Sequence, residues 1–288
     1  MIKDFLSRIF SFKINEISFF NPFIRFQVHS LGDYSGINEI KRETPIIISL
    51  QAQDVNVESL ELTIYSLLNQ NLKPDRIILW LDSKYQNFSN LPYLITQFIK
   101  NGLEIRFVDN LNRYTKTIAP LKEFRNSILT TVEAGYYYNP NWLKKLYHSY
   151  IAYPNDIHVH LAKQVKKSNT QILSSKTWQN CIIENASYSN FIIGKGGILY
   201  PPNCFSNEVF RDDIYLNNCS NFDELWFWVM ALVKNRKIRL IKNHNKFFSS
   251  FYNFDFLSKN NNLKFRIFDN ELENLMKYYS QNILNKLS

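Results

Sequence analysis

Ser127-Ile-Leu-Thr-Thr-Val-Glu-Ala-Gly-Tyr-Tyr-Tyr-Asn-Pro-Asn-Trp-Leu-Lys-Lys-Leu-Tyr147 is the stretch on which the fold reading turns. An apolar, β-branched run, Ile128 to Val132, predicts a short buried strand. It ends at a small acidic turn, Glu133-Ala134-Gly135. A helix signal follows, with Asn139 as N-cap, Pro140 at the first helical position, and Leu143, Leu146 and Tyr147 at helical spacing. In an open α/β sheet, ligands gather where a strand ends and the chain turns over the carboxyl edge. Glu133 is therefore the first residue to place.

Upstream, the same alternation repeats. Ile46-Ile-Ile-Ser-Leu50 predicts a buried strand, and Leu60, Ile64, Leu67 and Leu68 share one helix face that Pro74 and Asp75 stop. Arg76 to Asp82 is a second strand closed by an aspartate. Pro92 opens a helix carrying Leu94, Ile95, Phe98 and Ile99, Gly102 ends it, and Leu103 to Val108 is a strand closed by Asp109. A basic turn, Asn110 to Lys116, leads through a short helix containing Leu121 into the Ile128 strand. Strands and helices alternating at this spacing predict βαβ units around a parallel sheet.

The second half is less regular. Ile157 to Ala162 alternates like a strand, and Lys163 to Asn190 reads as a polar loop region. Phe191 to Pro202 reads as one strand bent by Gly194, Gly196 and Gly197; Gly194-Lys-Gly-Gly197 lacks the spacing of a phosphate-binding loop and reads as a tight bend. Asp223 to Val233 is a strongly apolar helix with acids in its first turn, where they suit the macrodipole. Lys237 to Ile241 predicts a final strand, and Leu272 to Leu287 a basic amphipathic helix.

Composition bounds the function classes. The 288 residues carry 34 Lys and Arg against 25 Asp and Glu, a formal net charge of +9 that favours acidic partners. Three cysteines at positions 181, 204 and 219 show no metal spacing, and their odd number argues against a disulfide framework, so a reducing cytoplasm is the simpler setting. No apolar run is long enough for a membrane span. Residues 1 to 13 have the spacing of a basic amphipathic helix, suited either to an anionic membrane face or to the protein's own core.

The order of these blocks resembles the bacterial glycosyltransferases of the GT-A fold, in the broad family-2-like group that serves lipopolysaccharide and capsule synthesis. The resemblance rests on Pro45 to Leu50, Thr63 to Asp82, Gly102 to Asp109, Tyr114-Thr-Lys116, Pro140-Asn-Trp-Leu143, Gly196 to Pro202, and Asp223-Glu-Leu-Trp-Phe-Trp228. It implies an α/β, Rossmann-like GT-A architecture: a mixed, mainly parallel sheet flanked by helices, with helical extensions at both ends. The division expected is an N-terminal lead-in (1–43), the GT-A domain (44–245) and a basic helical tail (246–288).

The function it implies is transfer of a sugar from a nucleotide-sugar donor to a cell-surface glycan or glycolipid, in the cytoplasm or peripherally at the inner face of the membrane. Gln51 and Asp82 fall where base and ribose contacts would lie, and Arg113, Lys116 and Glu133 where the diphosphate and its metal would. Asp223 or Glu224 falls on the acidic pair facing the acceptor, where a carboxylate acts as general base. Gly196, Gly197 and Trp226 fall on the acceptor side. Trp226 and Trp228 could stack on a sugar, but as residues of an apolar helix such side chains are more often core.

At the metal turn the family pattern is Thr-Ala-Asp-Asp-Asp, and this chain has Thr131-Val-Glu-Ala-Gly135. Mn²⁺ or Mg²⁺ wants several hard oxygens, and here Glu133 alone supplies a carboxylate. A second departure is His160-Leu-Ala-Lys163 where the family has His-Arg-Ala-His. Three readings stay open: metal-independent transfer with Lys116, Arg113 or Lys163 as the cation; a metal held by Glu133 with phosphate and water; or an inactive homologue serving as a binding or scaffold subunit. Nucleic-acid binding through basic and aromatic residues is a fourth class, without any RRM, KH, helix-turn-helix or zinc pattern to carry it.

Overall fold

The computed structural model describes residues 34–55, 58–87, 91–168, 171–241, 248–250 and 262–287. The amphipathic segment at residues 1 to 13 lies outside them, and residues 34–43 of the expected lead-in form no helix.

Four apolar strands build the frame. β1 (Ile46–Gln51), β2 (Arg76–Asp82), β3 (Leu103–Val108) and β4 (Ile128–Thr131) run parallel, with β1 between β2 and β4 and β3 outside β2. Successive side chains of a strand face opposite ways. Accordingly Ile46, Ile48 and Leu50 enter one core cluster while Ile47 enters the other. The first cluster takes the inner faces of α1 (Glu58–Leu68), α2 (Tyr93–Lys100) and α4 (Trp142–Ala152). The second takes Ile118 of α3 (Thr115–Glu123), Ile214 and Tyr215 of α5 (Asp212–Asn218), and most of α6 (Asp223–Val233).

The sheet continues beyond β4 through β11 (Ile198–Tyr200), β6 (Ile157–Val159), β12 (Ile238–Leu240) and β9 (Ala186–Ser187), giving eight strands in the order β3-β2-β1-β4-β11-β6-β12-β9. β11 is antiparallel to both β4 and β6, and β9 is antiparallel to β12; the other pairings are parallel. The expected architecture, α/β with a mixed, mainly parallel sheet flanked by helices, is what the chain forms.

Three local expectations are corrected. Phe191 to Pro202 is not one bent strand. It is β10 (Asn190–Ile192), paired with β7 (Ala162–Gln164) in a small sheet that also holds β8 (Gln179–Asn180), followed by a glycine turn and then β11 in the main sheet. The turn must pass under Trp142: Gly197 has φ +81°, and a Cβ there would lie 2.3 Å from the indole. The polar region from Lys163 therefore contains short strands, too brief to show a period. Finally, α4 begins at Trp142, not Pro140, because Tyr136 to Tyr138 form β5 (Tyr136–Tyr138), which pairs with β13 (Phe248–Ser250).

α6 is apolar all round, and eight consecutive residues from Leu225 to Leu232 are buried. A helix of that composition is stable only inside a core. Its outer side is covered by α7 (Asn262–Leu284), whose Phe268, Leu272, Leu275, Tyr279 and Ile283 join the same cluster. Burying such side chains is worth about 1.5–3 kcal/mol each. α7 thus packs on the sheet domain, and its first turns reach the site described next.

Candidate active site at the carboxyl edge of the sheet

The carboxyl ends of β1 and β4 lie side by side, with Ser49 opposite Thr131. Because β11 runs the other way, its entry at Ile198 pairs with Thr131 and brings the turn at 194–197 to the same edge. A cavity of about 580 Å³ opens there, lined by Gln51, Arg113, Lys116, Glu133, Asp223 and Glu224 together with Asp54, Tyr136, Phe191, Lys195, Lys264 and Phe268. Six residues scattered from 51 to 224 in the sequence therefore share one wall system.

Lys116 is its centre. The lysine sits near the start of α3, where a cation opposes the helix dipole. Its backbone is fixed from β1: Gln51 Oε1 accepts its N–H at 3.0 Å, and Ser49 Oγ donates to its carbonyl at 2.6 Å while accepting from Trp80 Nε1 at 2.9 Å. Its ammonium donates to Asp223 Oδ2 at 2.8 Å and lies 3.0 Å from Glu133 Oε1. Arg113 carbonyl is at 3.4 Å. The lysine side chain is only 6% exposed. Burial alone pulls an ammonium's pKa down, but Asp223, Glu133 and Glu224 outweigh it and hold Lys116 above the ordinary lysine value.

The carboxylates are placed by separate elements. Asp223 opens α6 and is buried. Glu133 follows β4, its N–H donated to the buried Tyr138 hydroxyl at 3.1 Å; that hydroxyl reaches the Lys195 carbonyl at 3.2 Å, tying the 133 turn to the glycine turn. Glu224 and Glu133 both lean over Gly194, where a Cβ would come within 2.8 Å of Glu224 Oε1 and 3.1 Å of Glu133 Oε1. Burial, then the neighbouring Asp223, push the Glu224 carboxyl up to about 8, with Lys116 opposing them.

Gln51, Arg113, Lys116, Glu133, Asp223 and Glu224 thus line one cavity. Asp82 is not among the cavity-lining residues: it caps a short helical turn after β2, its Oδ1 accepting from Lys84 N–H at 3.0 Å. Gly196 and Gly197 are not among the cavity-lining residues, although Lys195 beside them is; the Gly196 carbonyl accepts from Trp142 Nε1 at 2.8 Å. Trp226 is fully buried, its indole N–H donated to the Val209 carbonyl at 3.1 Å, and Trp228 likewise donates to Tyr188 carbonyl, so both are core. Lys163 does not line the cavity; its ammonium is 6.0 Å from the Phe265 ring centroid. Lys195, Lys264 and Phe268 are lining residues that the sequence reading does not single out. Lys195 carried a signal, lying inside the glycine turn, whereas Lys264 and Phe268 reach the site only through long-range packing of α7.

A divalent ion does not fit the donors as they stand. Ala134 offers no side-chain ligand, and Gly135 has φ +90° with its N–H donated to Thr63 Oγ1 at 3.0 Å, a backbone that an aspartate would adopt only with strain. The Glu133 and Asp223 carboxylates converge on an ammonium instead. Among the described residues no group of three or more His, Cys, Asp or Glu side chains is arranged to hold a metal.

No protein-family model matches this sequence. No curated protein matches it either. Among solved structures it is similar to S. aureus TarS residues 1–349 in complex with UDP, at 15% identity over 69% of this chain and 58% of that one, with a TM-score of 0.48. The same TarS segment in complex with UDP-GlcNAc gives 15% identity, 69% and 56% coverage and a TM-score of 0.46. Longer TarS gives 13% identity and a TM-score of 0.46, with 69% of this chain matching 35% of that one. The chain spans less than two thirds of the length of each. No helix among the described residues is long and apolar enough to cross a membrane.

Proposed function

We propose that the protein is a GT-A-type glycosyltransferase that moves a sugar from a nucleoside-diphosphate sugar to a hydroxyl of a glycan or glycolipid. One observation carries the reading. At the carboxyl edge of parallel strands, a buried lysine and a carboxyl group of raised pKa face the same cavity from different elements, 580 Å³ in size. Such a pairing supplies both groups that sugar transfer needs, a cation for the departing diphosphate and a proton acceptor for the acceptor hydroxyl.

In this mechanism Lys116, with Arg113 beside it, faces the diphosphate, and Gln51 holds the Lys116 backbone in place while lining the cavity. The acceptor oxygen attacks the anomeric carbon and the bond from that carbon to the β-phosphate oxygen breaks. The electron pair leaves with the diphosphate, and the acceptor proton passes to Glu224. Asp223 is committed to Lys116 and positions it, which leaves Glu224 as the base. Its raised pKa suits that role, since a base poised near the operating pH transfers protons most efficiently.

The experiment is a thermal-shift and calorimetric screen with UDP, GDP and ADP. At least one nucleotide is expected to stabilise the protein, and Lys116→Ala to abolish the effect. Indifference to all three sinks the reading. A second reading, a homologue that binds without catalysis, is favoured by the turn at Ala134 and Gly135 and by the full complement of acceptors around Lys116. It predicts nucleotide binding with no donor consumption in the wild type.

A further inference from the structure

The ammonium of Lys116 has three hydrogens, and three acceptors surround it: Asp223 Oδ2 at 2.8 Å, Glu133 Oε1 at 3.0 Å and the Arg113 carbonyl at 3.4 Å. A phosphate oxygen that uses this lysine must therefore replace one of them. The two carboxylates are not equivalent. The Asp223 side chain is 6% exposed, so releasing it would leave a buried charge unpaired. The Glu133 side chain is 33% exposed and can turn into water at little cost. Its backbone stays anchored, because the Glu133 N–H is held by the Tyr138 hydroxyl. The seat it now occupies beside Lys116 needs a glycine at 194, where any Cβ would press on Glu133 Oε1.

We propose that Glu133 is not a metal ligand but a competing anion seated on Lys116, which the donor's diphosphate displaces on binding. The inference rests on the reading of the cavity as a nucleoside-diphosphate site and gives the turn at 133–135 a purpose within it. In the empty protein Glu133 balances a buried cation. On donor entry a phosphate oxygen takes its place, Asp223 holds the ammonium, and no divalent ion takes part. The metal-ligand reading and the competing-anion reading predict opposite signs for one substitution. Removing the charge at 133 weakens nucleotide binding if Glu133 holds a metal, and strengthens it if Glu133 competes.

Isothermal titration of wild type and Glu133→Gln with UDP, GDP and ADP, each in EDTA and in MnCl₂, separates these. The nucleotide that binds is expected to bind equally in both buffers, and about two- to five-fold more tightly to Glu133→Gln, since a partly exposed ion pair is worth up to about 1 kcal/mol. MnCl₂ titrated alone is expected to give no saturable heat that depends on Glu133. Binding that requires Mn²⁺, or that weakens in Glu133→Gln, overturns the inference and leaves the functional reading standing. The EDTA comparison uses wild type alone, so it decides the metal part even if Glu133→Gln folds poorly, and Glu133→Ala then gives a second reading of the competition. Wild type that binds none of the nucleotides in either buffer overturns the functional reading and this inference with it.

Discussion

Replacing Lys116 by methionine keeps the stem of the side chain and deletes its charge. The Asp223 carboxylate, 6% exposed on the first turn of α6, then loses its ion-pair partner, and Glu133 loses its own. Breaking a buried pair from one side costs about 3–5 kcal/mol, because the remaining charge is stranded away from water. The lysine is nearly as buried as the aspartate, so solvent screening takes little off that figure. For a chain of this length the melting temperature is expected to fall by about 5–8 °C. The assay is thermal unfolding by circular dichroism for wild type, Lys116→Met, Asp223→Asn and the double variant. The double variant is expected to recover much of the loss, with a coupling of about 2 kcal/mol or more between the two sites, the size that contacting residues in one network show. A Lys116→Met protein as stable as wild type, or two losses that simply add, would refute the claim that this pair is the electrostatic centre of the fold's carboxyl edge.

Other consequences follow from the same geometry. Glu224→Gln is expected to retain nucleotide binding while transfer falls about a hundred-fold or more, the usual loss on removing a general base; a variant with unchanged turnover in a donor-consumption assay removes Glu224 from the mechanism. Gly197→Ala places a methyl 2.3 Å from the Trp142 ring at φ +81°, so it is expected to cost at least about 2 kcal/mol by urea unfolding, and a neutral result contradicts the packing described. His158 is buried, with Nδ1 2.8 Å from Ser149 Oγ and Nε2 3.1 Å from the Tyr153 carbonyl, and burial lowers its pKa from 6.5 to about 3. The unfolded chain therefore binds the proton first, so the contribution is complete above pH 6.5 and is lost as pH falls towards 3. Between pH 7 and pH 5 that amounts to about 2 kcal/mol, and a His158→Gln protein is expected to lack this part of the slope.

Much of this was legible from residue order. The β-branched runs at Ile46, Ile77, Leu103 and Ile128 and the helix faces between them place four parallel strands, and with them Gln51, Arg113, Lys116 and Glu133, near one edge. Local patterns could not reveal which residues pair across the chain. Lys116 meets Asp223 because Leu225 to Leu232 of α6 are buried in the second core cluster, an arrangement fixed by tertiary packing. The reversed strand β11 was hidden by its length, since Ile198 to Tyr200 is too short to show a period and its neighbours Phe191 and Ile192 are equally apolar. Trp226 could be read as a sugar platform, although its apolar helix favours core, and its indole N–H on the Val209 carbonyl makes it core. Lys264 and Phe268 could not have been placed at all, because α7 returns to the site from far along the chain.

The central claim is that a nucleoside diphosphate binds at the Lys116 end of the sheet. Hydrogen–deuterium exchange of the whole protein, with and without millimolar UDP, GDP or ADP, tests it most directly. The account predicts that the nucleotide that binds slows exchange in the segments around residues 113–118, 131–136 and 222–226 together. Slowed exchange confined to other surfaces, or no change with any of the three, would contradict it.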